Sequence, residues 1–142
     1  MPLENGSYFI QNREKYLAAT DEEPLLPRRV IVLPDGVKPP KWNVKKVGDD
    51  QYTITIDEAR TRTIEDKVFA VTVEGPEPEV WYIVPDERGG KDSYVITTQE
   101  RFKGWVAPDE PYEQIMCRPL IVGPSDPPFY PPNETFQFTR VW

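Results

Sequence analysis

The residues best suited to specific chemistry are two adjacent arginines, Arg28 and Arg29, which follow Leu26 and Pro27. A guanidinium group forms charge-assisted and often bidentate hydrogen bonds with a carboxylate, and these are among the stronger polar contacts in proteins. Proline fixes its own φ and pushes the preceding residue into extended geometry, so Leu26 and Pro27 should hold the chain extended just before Arg28. The four residues therefore favour a binding role in which an arginine enters a pocket that contains a carboxylate.

The chain lacks most of the side chains that enzymes use for catalysis, because it has no histidine and a single cysteine, Cys117. Ser-His-Asp and Cys-His nucleophiles both need an imidazole base, and zinc sites usually need histidine or several cysteines. Carboxylate pairs for glycoside chemistry remain available among the 24 acidic residues, but most acidic residues are solvated surface charges. Cys117 should pack as a small core hydrophobe. We expect neither an enzyme nor a cofactor or metal site.

Charge and hydropathy restrict the partners. The net charge is −7, and no basic patch of the kind that nucleic-acid binders carry is visible along the sequence. No apolar run approaches the roughly 18 residues that a membrane span needs, and residues 1–12 lack the basic and apolar regions of a signal peptide. We therefore expect a cytoplasmic monomer that binds neither nucleic acid nor membranes.

The elements that position the arginines should be strands. Proline accounts for 17 of 142 residues and breaks helix interiors, whereas the abundant Val, Ile, Tyr, Phe and Trp favour strands. Two apolar patterns recur three times, one at 39-residue and one at 42-residue intervals. The first begins at Trp42, Trp81 and Leu120, and the second at Tyr52, Tyr94 and Phe136; we expect these aromatic side chains to form the core.

Three units of about 40 residues fit a closed three-fold structure and are too few for a propeller, which needs at least four blades. We therefore predict one all-β domain over residues 1–142, a β-trefoil with three repeats of four strands that form a six-stranded barrel and a hairpin cap. The predicted strands are 7–12, 15–19, 42–47, 51–56, 59–64, 67–73, 80–84, 93–98, 102–106, 113–117, 120–123 and 135–140.

One segment, residues 20–41, is longer than closure of a barrel requires, and loops of this length are usually functional or disordered. Its Leu, Val and Ile content is too high for a solvated linker, and it contains the extended approach to Arg28. A serine protease binds its substrate as an extended strand, and the primary pocket of trypsin carries a buried carboxylate. The segment therefore has the form of a reversible, substrate-like protease-binding loop, although composition alone also fits a solvated dibasic pair.

The register of the arginine pair is ambiguous by one residue. In the first register Arg28 fills the primary pocket and Arg29 lies just past the scissile bond. In the second register Arg29 fills the pocket. Arg118 is a poor alternative, because Pro119 follows it.

The sequence LENGSYFIQN at residues 3–12, together with the proline-rich Arg-Arg segment, resembles the mushroom serine protease inhibitors of the cospin type, and the resemblance covers the whole chain. It implies a β-trefoil that blocks trypsin through the loop between its second and third strands, with an arginine as the pocket residue. That role corresponds to Arg28 here. The resemblance also implies storage in the cytosol of fruiting bodies and defence against animals that eat them.

Two other functions remain open on the same scaffold. A lectin of the ricin type would carry Gln-x-Trp in each repeat, which is absent, although Phe129 and Tyr130 could stack on a sugar. A cysteine-protease inhibitor would use the loops at 74–79 or 123–133, where Asn133 could be recognised by an asparagine-specific protease. Arg88 and Lys91 flank two glycines and lie in a loop that looks too flexible for tight binding.

Overall fold

A computed structural model describes residues 3–21, 26–72, 79–90, 92–121, 123 and 129–141. The described residues form twelve strands and two single-turn 3₁₀ helices, η1 (Glu87–Gly89) and η2 (Pro132–Glu134). Among them no helix is long and apolar enough to cross a bilayer. The strands are β1 (Gly6–Asn12), β2 (Lys15–Ala19), β3 (Arg28–Val32), β4 (Trp42–Gly48), β5 (Gln51–Ile56), β6 (Ala59–Ile64), β7 (Lys67–Val71), β8 (Trp81–Pro85), β9 (Ser93–Thr97), β10 (Lys103–Val106), β11 (Met116–Pro119) and β12 (Phe136–Val141).

The strands close into a barrel. Antiparallel pairings run from β1 through β4, β5, β8, β9 and β12, and β12 pairs with β1 again. The other six strands form three hairpins, β2–β3, β6–β7 and β10–β11. Strand β7 joins these hairpins, because it also pairs with β3 and β11. The prediction of an all-β fold is confirmed.

The core follows from the period-two alternation of strands, which places every second side chain on the same face. In β5, for example, Tyr52, Ile54 and Ile56 are buried while the residues between them are half-exposed. The large aromatic side chains fill the centre, with Trp105 packed edge-to-face against Trp81 at 5.3 Å between ring centroids. The predicted core positions of the repeated aromatic side chains are confirmed, since all five are buried: Trp42, Trp81, Tyr52, Tyr94 and Phe136.

The predicted strand list was wrong in three places. Strand β3 was missed, and the strand expected at 113–117 is shifted to Met116–Pro119. Of the strand expected at 120–123, residue 122 lies outside the described part of the chain, Leu120 and Ile121 lie outside the strands, and Gly123 makes an isolated bridge to Phe129. Leu120 was therefore the wrong third member of its repeat, and Phe136 was the wrong third member of the other, since Tyr52 and Tyr94 lie in β5 and β9. The buried aromatic residues that begin β4, β8 and β12 are Trp42, Trp81 and Phe136.

Candidate functional site

The predicted site residues lie at the start of a strand. Arg28 and Arg29 are the first residues of β3 and pair with Ala70 and Phe69 of β7. The expectation that residues 20–41 form one long loop was wrong, because the β-branched run that follows the arginines pairs with β2 and divides the segment into two connections. In the first connection, residues 22–25 lie outside the described part of the chain.

The residues before the arginines differ in exposure. Leu26 is 51% exposed, and Pro27 is half-buried. Because the Leu26 side chain is exposed, its apolar surface is available for contact with a partner. The structure thus places Leu26 at the surface directly beside the arginine pair.

Arg28 is held by its own protein. It lies on the core-facing side of β3, two residues before the fully buried Val30, and its side chain is 17% exposed. Its Nε donates a hydrogen bond to the carbonyl oxygen of Thr20 at 2.7 Å, and one terminal nitrogen contacts Oδ2 of Asp57 at 3.4 Å. Its other terminal nitrogen lies 4.0 Å from Oδ1 of Asp21, so the guanidinium already has a carbonyl and two carboxylates as partners.

Asp57 reaches Arg28 from the two-residue turn between β5 and β6. Asp57 and Glu58 have φ angles of 47° and 68°, and Ile56 pairs with Ala59 across the turn. Positive φ at both central residues is the type I′ geometry favoured in two-residue hairpins. Sequence reasoning missed Asp57, since no local pattern links residues separated by 29 positions.

Arg29 points the other way. Its backbone N–H donates to Oγ1 of Thr20, and its carbonyl accepts from the backbone N–H of Thr20, both at 2.9 Å. Its side chain is exposed and lines an open cleft of about 910 Å³ on the outer surface, together with Lys67, Tyr112 and Arg118. The two adjacent arginines thus occupy opposite faces of one strand, as strand geometry requires.

The residues considered for sugar or cysteine-protease binding differ in burial and in their contacts. Phe129 is exposed, whereas burial and the nearby carboxylates of Asp86 and Glu134 raise the pKa of Tyr130. The backbone carbonyl of Asn133 accepts a hydrogen bond from Ala107, so it serves the local fold. Residues 74–78 and Lys91 lie outside the described part of the chain, and Arg88 is exposed.

Neither a metal site nor a reactive thiol is apparent in the described residues. No group of three or more His, Cys, Asp or Glu side chains there could hold a metal ion. Cys117 is fully buried, and desolvation raises the pKa of its thiol. A raised pKa disfavours the thiolate, which is the nucleophilic form. The prediction that Cys117 is a core residue is confirmed.

Glu134 is an unusual buried acid, with 2% of its surface exposed. Its Oε2 accepts a hydrogen bond from the backbone N–H of Ile121 at 2.8 Å, while no partner for Oε1 is found among the described residues. Burial raises the pKa of Glu134 by more than the hydrogen bond from Ile121 lowers it. The folded state therefore binds this proton more tightly than the unfolded state does.

The substitution Glu134→Gln is expected to make the free energy of unfolding less dependent on pH between 4 and 7, because a neutral amide keeps an acceptor for Ile121 and removes the buried ionisable group. A raised folded-state pKa contributes stability that is complete below the unfolded-state pKa near 4.5 and is lost as the pH rises through the folded-state pKa. Urea unfolding at pH 4 and pH 7 should therefore show that the wild-type chain loses more stability than Glu134→Gln when the pH is raised from 4 to 7. The exposed Glu110→Gln is the control, and an equal pH response in both variants would contradict the assignment.

Comparison with known proteins identifies relatives of the whole chain. The family model for Peptidase inhibitor I66 matches residues 1–140. A protein named "Serine protease inhibitor" from Lentinula edodes is 37% identical over 142 residues, which is 98% of this chain and 99% of the relative. A proteinase inhibitor from Coprinopsis cinerea, known at high resolution, is 30% identical and superposes with a TM-score of 0.87 over 98% of this chain and 99% of that chain.

More distant structures share only the fold. The structure titled "SeviL bound to asialo-GM1 saccharide" has a TM-score of 0.67 at 13% identity, and the match covers 97% of this chain and 99% of that chain. The mushroom relatives, in contrast, are inhibitors of proteases and not enzymes, and they match from end to end. The resemblance inferred from residues 3–12 and the dibasic segment is confirmed, and the chain belongs to the peptidase inhibitor I66 family, whose relatives here include a mushroom serine protease inhibitor.

Proposed function

We propose that the chain inhibits trypsin-like serine proteases by reversible, substrate-like binding, with Arg28 in the primary pocket of the protease. Family membership supports an inhibitor of serine proteases, and an arginine is the side chain that complements the carboxylate of a trypsin-type pocket. The observation that carries the proposal is the position of Arg28 between the surface residues Leu26 and Arg29, next to a proline.

The residue after each arginine favours Arg28 over Arg29. Arg28 is followed by Arg29, whose side chain is exposed, so a protease can contact both sides of that peptide bond. Arg29 is followed by Val30, which is 0% exposed and whose carbonyl accepts a hydrogen bond from Ile115. Docking at the second bond would withdraw Val30 from the core at a cost of about 1.5–3 kcal/mol.

Binding in this mode is an exchange of partners. Arg28 leaves the carbonyl of Thr20 and the exposed carboxylates of Asp57 and Asp21, and it gains the desolvated carboxylate of the pocket. The start of β3 must also separate from β7, where two residue pairs join these strands. Strand ends open at low free energy, and a buried charge-assisted pair is stronger than an exposed one, so the exchange favours the complex.

Asp57 competes with the protease in this scheme, and Asp57→Asn is expected to lower the inhibition constant for trypsin by up to about fivefold. The Asp57 side chain is 72% exposed, and exposed ion pairs contribute at most about 1 kcal/mol. Progress curves at low and high ionic strength measure the effect, which salt should reduce. Glu4→Gln is a matched control, since Glu4 is also an exposed carboxylate 3.4 Å from an arginine, Arg140, and lies outside the proposed binding segment. A weaker inhibitor after Asp57→Asn would show instead that the ion pair preorganises the site.

We also propose that the repeats are those of a β-trefoil, with units β1–β4, β5–β8 and β9–β12. The six-strand ring and three hairpins support this division. So do the buried aromatic residues that begin β4, β8 and β12.

Titration of trypsin of known active-site concentration with the purified chain tests the proposed function. Tight, stoichiometric inhibition is the expected result. Inhibition of chymotrypsin or elastase without inhibition of trypsin would reject the proposed specificity, and binding in a glycan array without any protease inhibition would reject the function as a whole.

A further inference from the structure

Positive charge is concentrated in four neighbouring strands. Strands β3, β6, β7 and β11 together have 20 residues, of which six are arginine or lysine and none is acidic. The whole chain, by contrast, has 24 acidic and 17 basic residues. Because β7 pairs with each of the other three strands, the fold brings these separate segments together.

Five of the six cations point away from the barrel interior. Buried residues alternate with them in β6 and β7, where Ala59, Thr61, Val68 and Ala70 are inward-facing. The cations between those residues are half-buried or exposed, as expected for the opposite side of a strand. The outward set, called the basic face below, consists of Arg29, Arg60, Arg62, Lys67 and Arg118.

Apolar side chains are interleaved with the basic face. Phe69 pairs with Arg29 on one side and with Arg62 on the other. Lys67 pairs in the same way with Met116 and Ile64. Aromatic residues, methionine and arginine are the types enriched at protein–protein interfaces, so this composition fits a protein partner better than a purely charged polymer.

Arg29 belongs both to the basic face and to the segment proposed to dock on a protease. A protease seated on Arg28 would therefore overlie the adjacent strands as well. The cleft lined by Arg29 is also lined by Asp109, Glu110 and Glu113, and the backbone carbonyl of Glu113 accepts a hydrogen bond from Val32 of β3. These carboxylates would repel an acidic partner, whereas the five cations of the basic face would attract it.

We infer that the basic face is an exosite that contacts an acidic surface beside the active site of the target protease. This inference rests on the proposed function and adds to it a preference among proteases of the same pocket specificity. Complementary charge acts mainly on the association rate and is screened by salt. Proteases with an acidic surface near the active site should be captured faster than their cationic counterparts.

The test is the association rate constant for anionic and cationic trypsin at low and high ionic strength, measured from progress curves. The double substitution Arg62→Gln/Lys67→Gln is expected to slow association with anionic trypsin about tenfold at low ionic strength, and with cationic trypsin less than twofold. Lys45→Gln/Lys46→Gln removes the same charge from exposed positions of β4, outside the basic face, and should change neither rate. Arg118→Gln supplies a second, single-site variant, with an expected decrease of about threefold in the anionic rate.

The outcomes separate the two hypotheses. If trypsin is inhibited but the association rates of the double variant and the β4 control do not differ, the exosite is overturned and the proposed function stays in place. Failure of the wild-type chain to inhibit either trypsin overturns both. If the wild-type chain is retained on heparin and the double variant is not, while their association rates with trypsin are the same, the basic face binds a polyanion and the exosite is also overturned.

Discussion

Replacing Arg28 with alanine is expected to raise the inhibition constant for trypsin by about 30- to 1000-fold, which corresponds to roughly 2–4 kcal/mol. The loss is large because the pocket carboxylate would remain desolvated without a cationic partner. Within the free inhibitor the same substitution removes one hydrogen bond to Thr20 and ion pairs with the exposed carboxylates of Asp57 and Asp21, which together are worth much less. Titration of trypsin with the wild-type chain and the variant, under identical conditions, measures the ratio.

Two further substitutions test whether Arg28 itself fills the pocket and whether its guanidinium group is needed there. Arg28→Lys should keep part of the inhibition, because lysine brings the charge to the pocket but not the planar, bidentate guanidinium. Arg29→Ala should weaken inhibition less than tenfold. An increase of less than tenfold in the inhibition constant of Arg28→Ala would show that Arg28 does not fill the pocket. A large increase for Arg29→Ala instead would assign the pocket to Arg29. Thermal unfolding of each variant shows whether the fold is retained.

The fold class could be predicted from the sequence because its causes are local. Strand β5 alternates buried and half-exposed residues in a pattern visible in the sequence, and the many prolines exclude long helices. Strand β3 was missed because Val30, Ile31 and Val32 form a short apolar run that fits either a strand or the anchored end of a loop. Its pairing partners in β2 and β7 decide between the two, and they are distant in sequence.

The candidate site was predictable only in part, for a similar reason. The adjacent arginines and the preceding proline are local features, and they led directly to Arg28 and Arg29. The contact of Arg28 with Asp57 depends on how the β5–β6 turn lies over β3, which no local pattern encodes. The basic face was overlooked because its cations come from four separate segments of an acidic chain, and only the pairing of β7 makes them neighbours.

The largest expected effect on stability comes from Trp81, the first residue of β8. Trp81→Ala should lower the free energy of unfolding by about 3–5 kcal/mol, because the side chain is 0% exposed and its removal leaves a large cavity beside Trp105. Its indole N–H also donates a hydrogen bond to Oγ1 of Thr61 at 2.9 Å, and the Thr61 hydroxyl donates to the carbonyl of Ile54 at 2.7 Å. Urea unfolding followed by fluorescence and by circular dichroism measures the loss.

Replacing Trp81 with phenylalanine separates the contribution of its hydrogen bond from that of its packing, because a second buried tryptophan in the core, Trp105, serves as the comparison. Trp105 is also 0% exposed and packs against both Trp81 and Phe136, but its indole N–H has no partner among the described residues. Trp81→Phe and Trp105→Phe remove the same atoms, so Trp81→Phe should cost about 0.5–1.5 kcal/mol more, the net worth of one hydrogen bond. Equal losses would mean that the bond to Thr61 adds nothing to stability, and that the two indoles act through their packing alone.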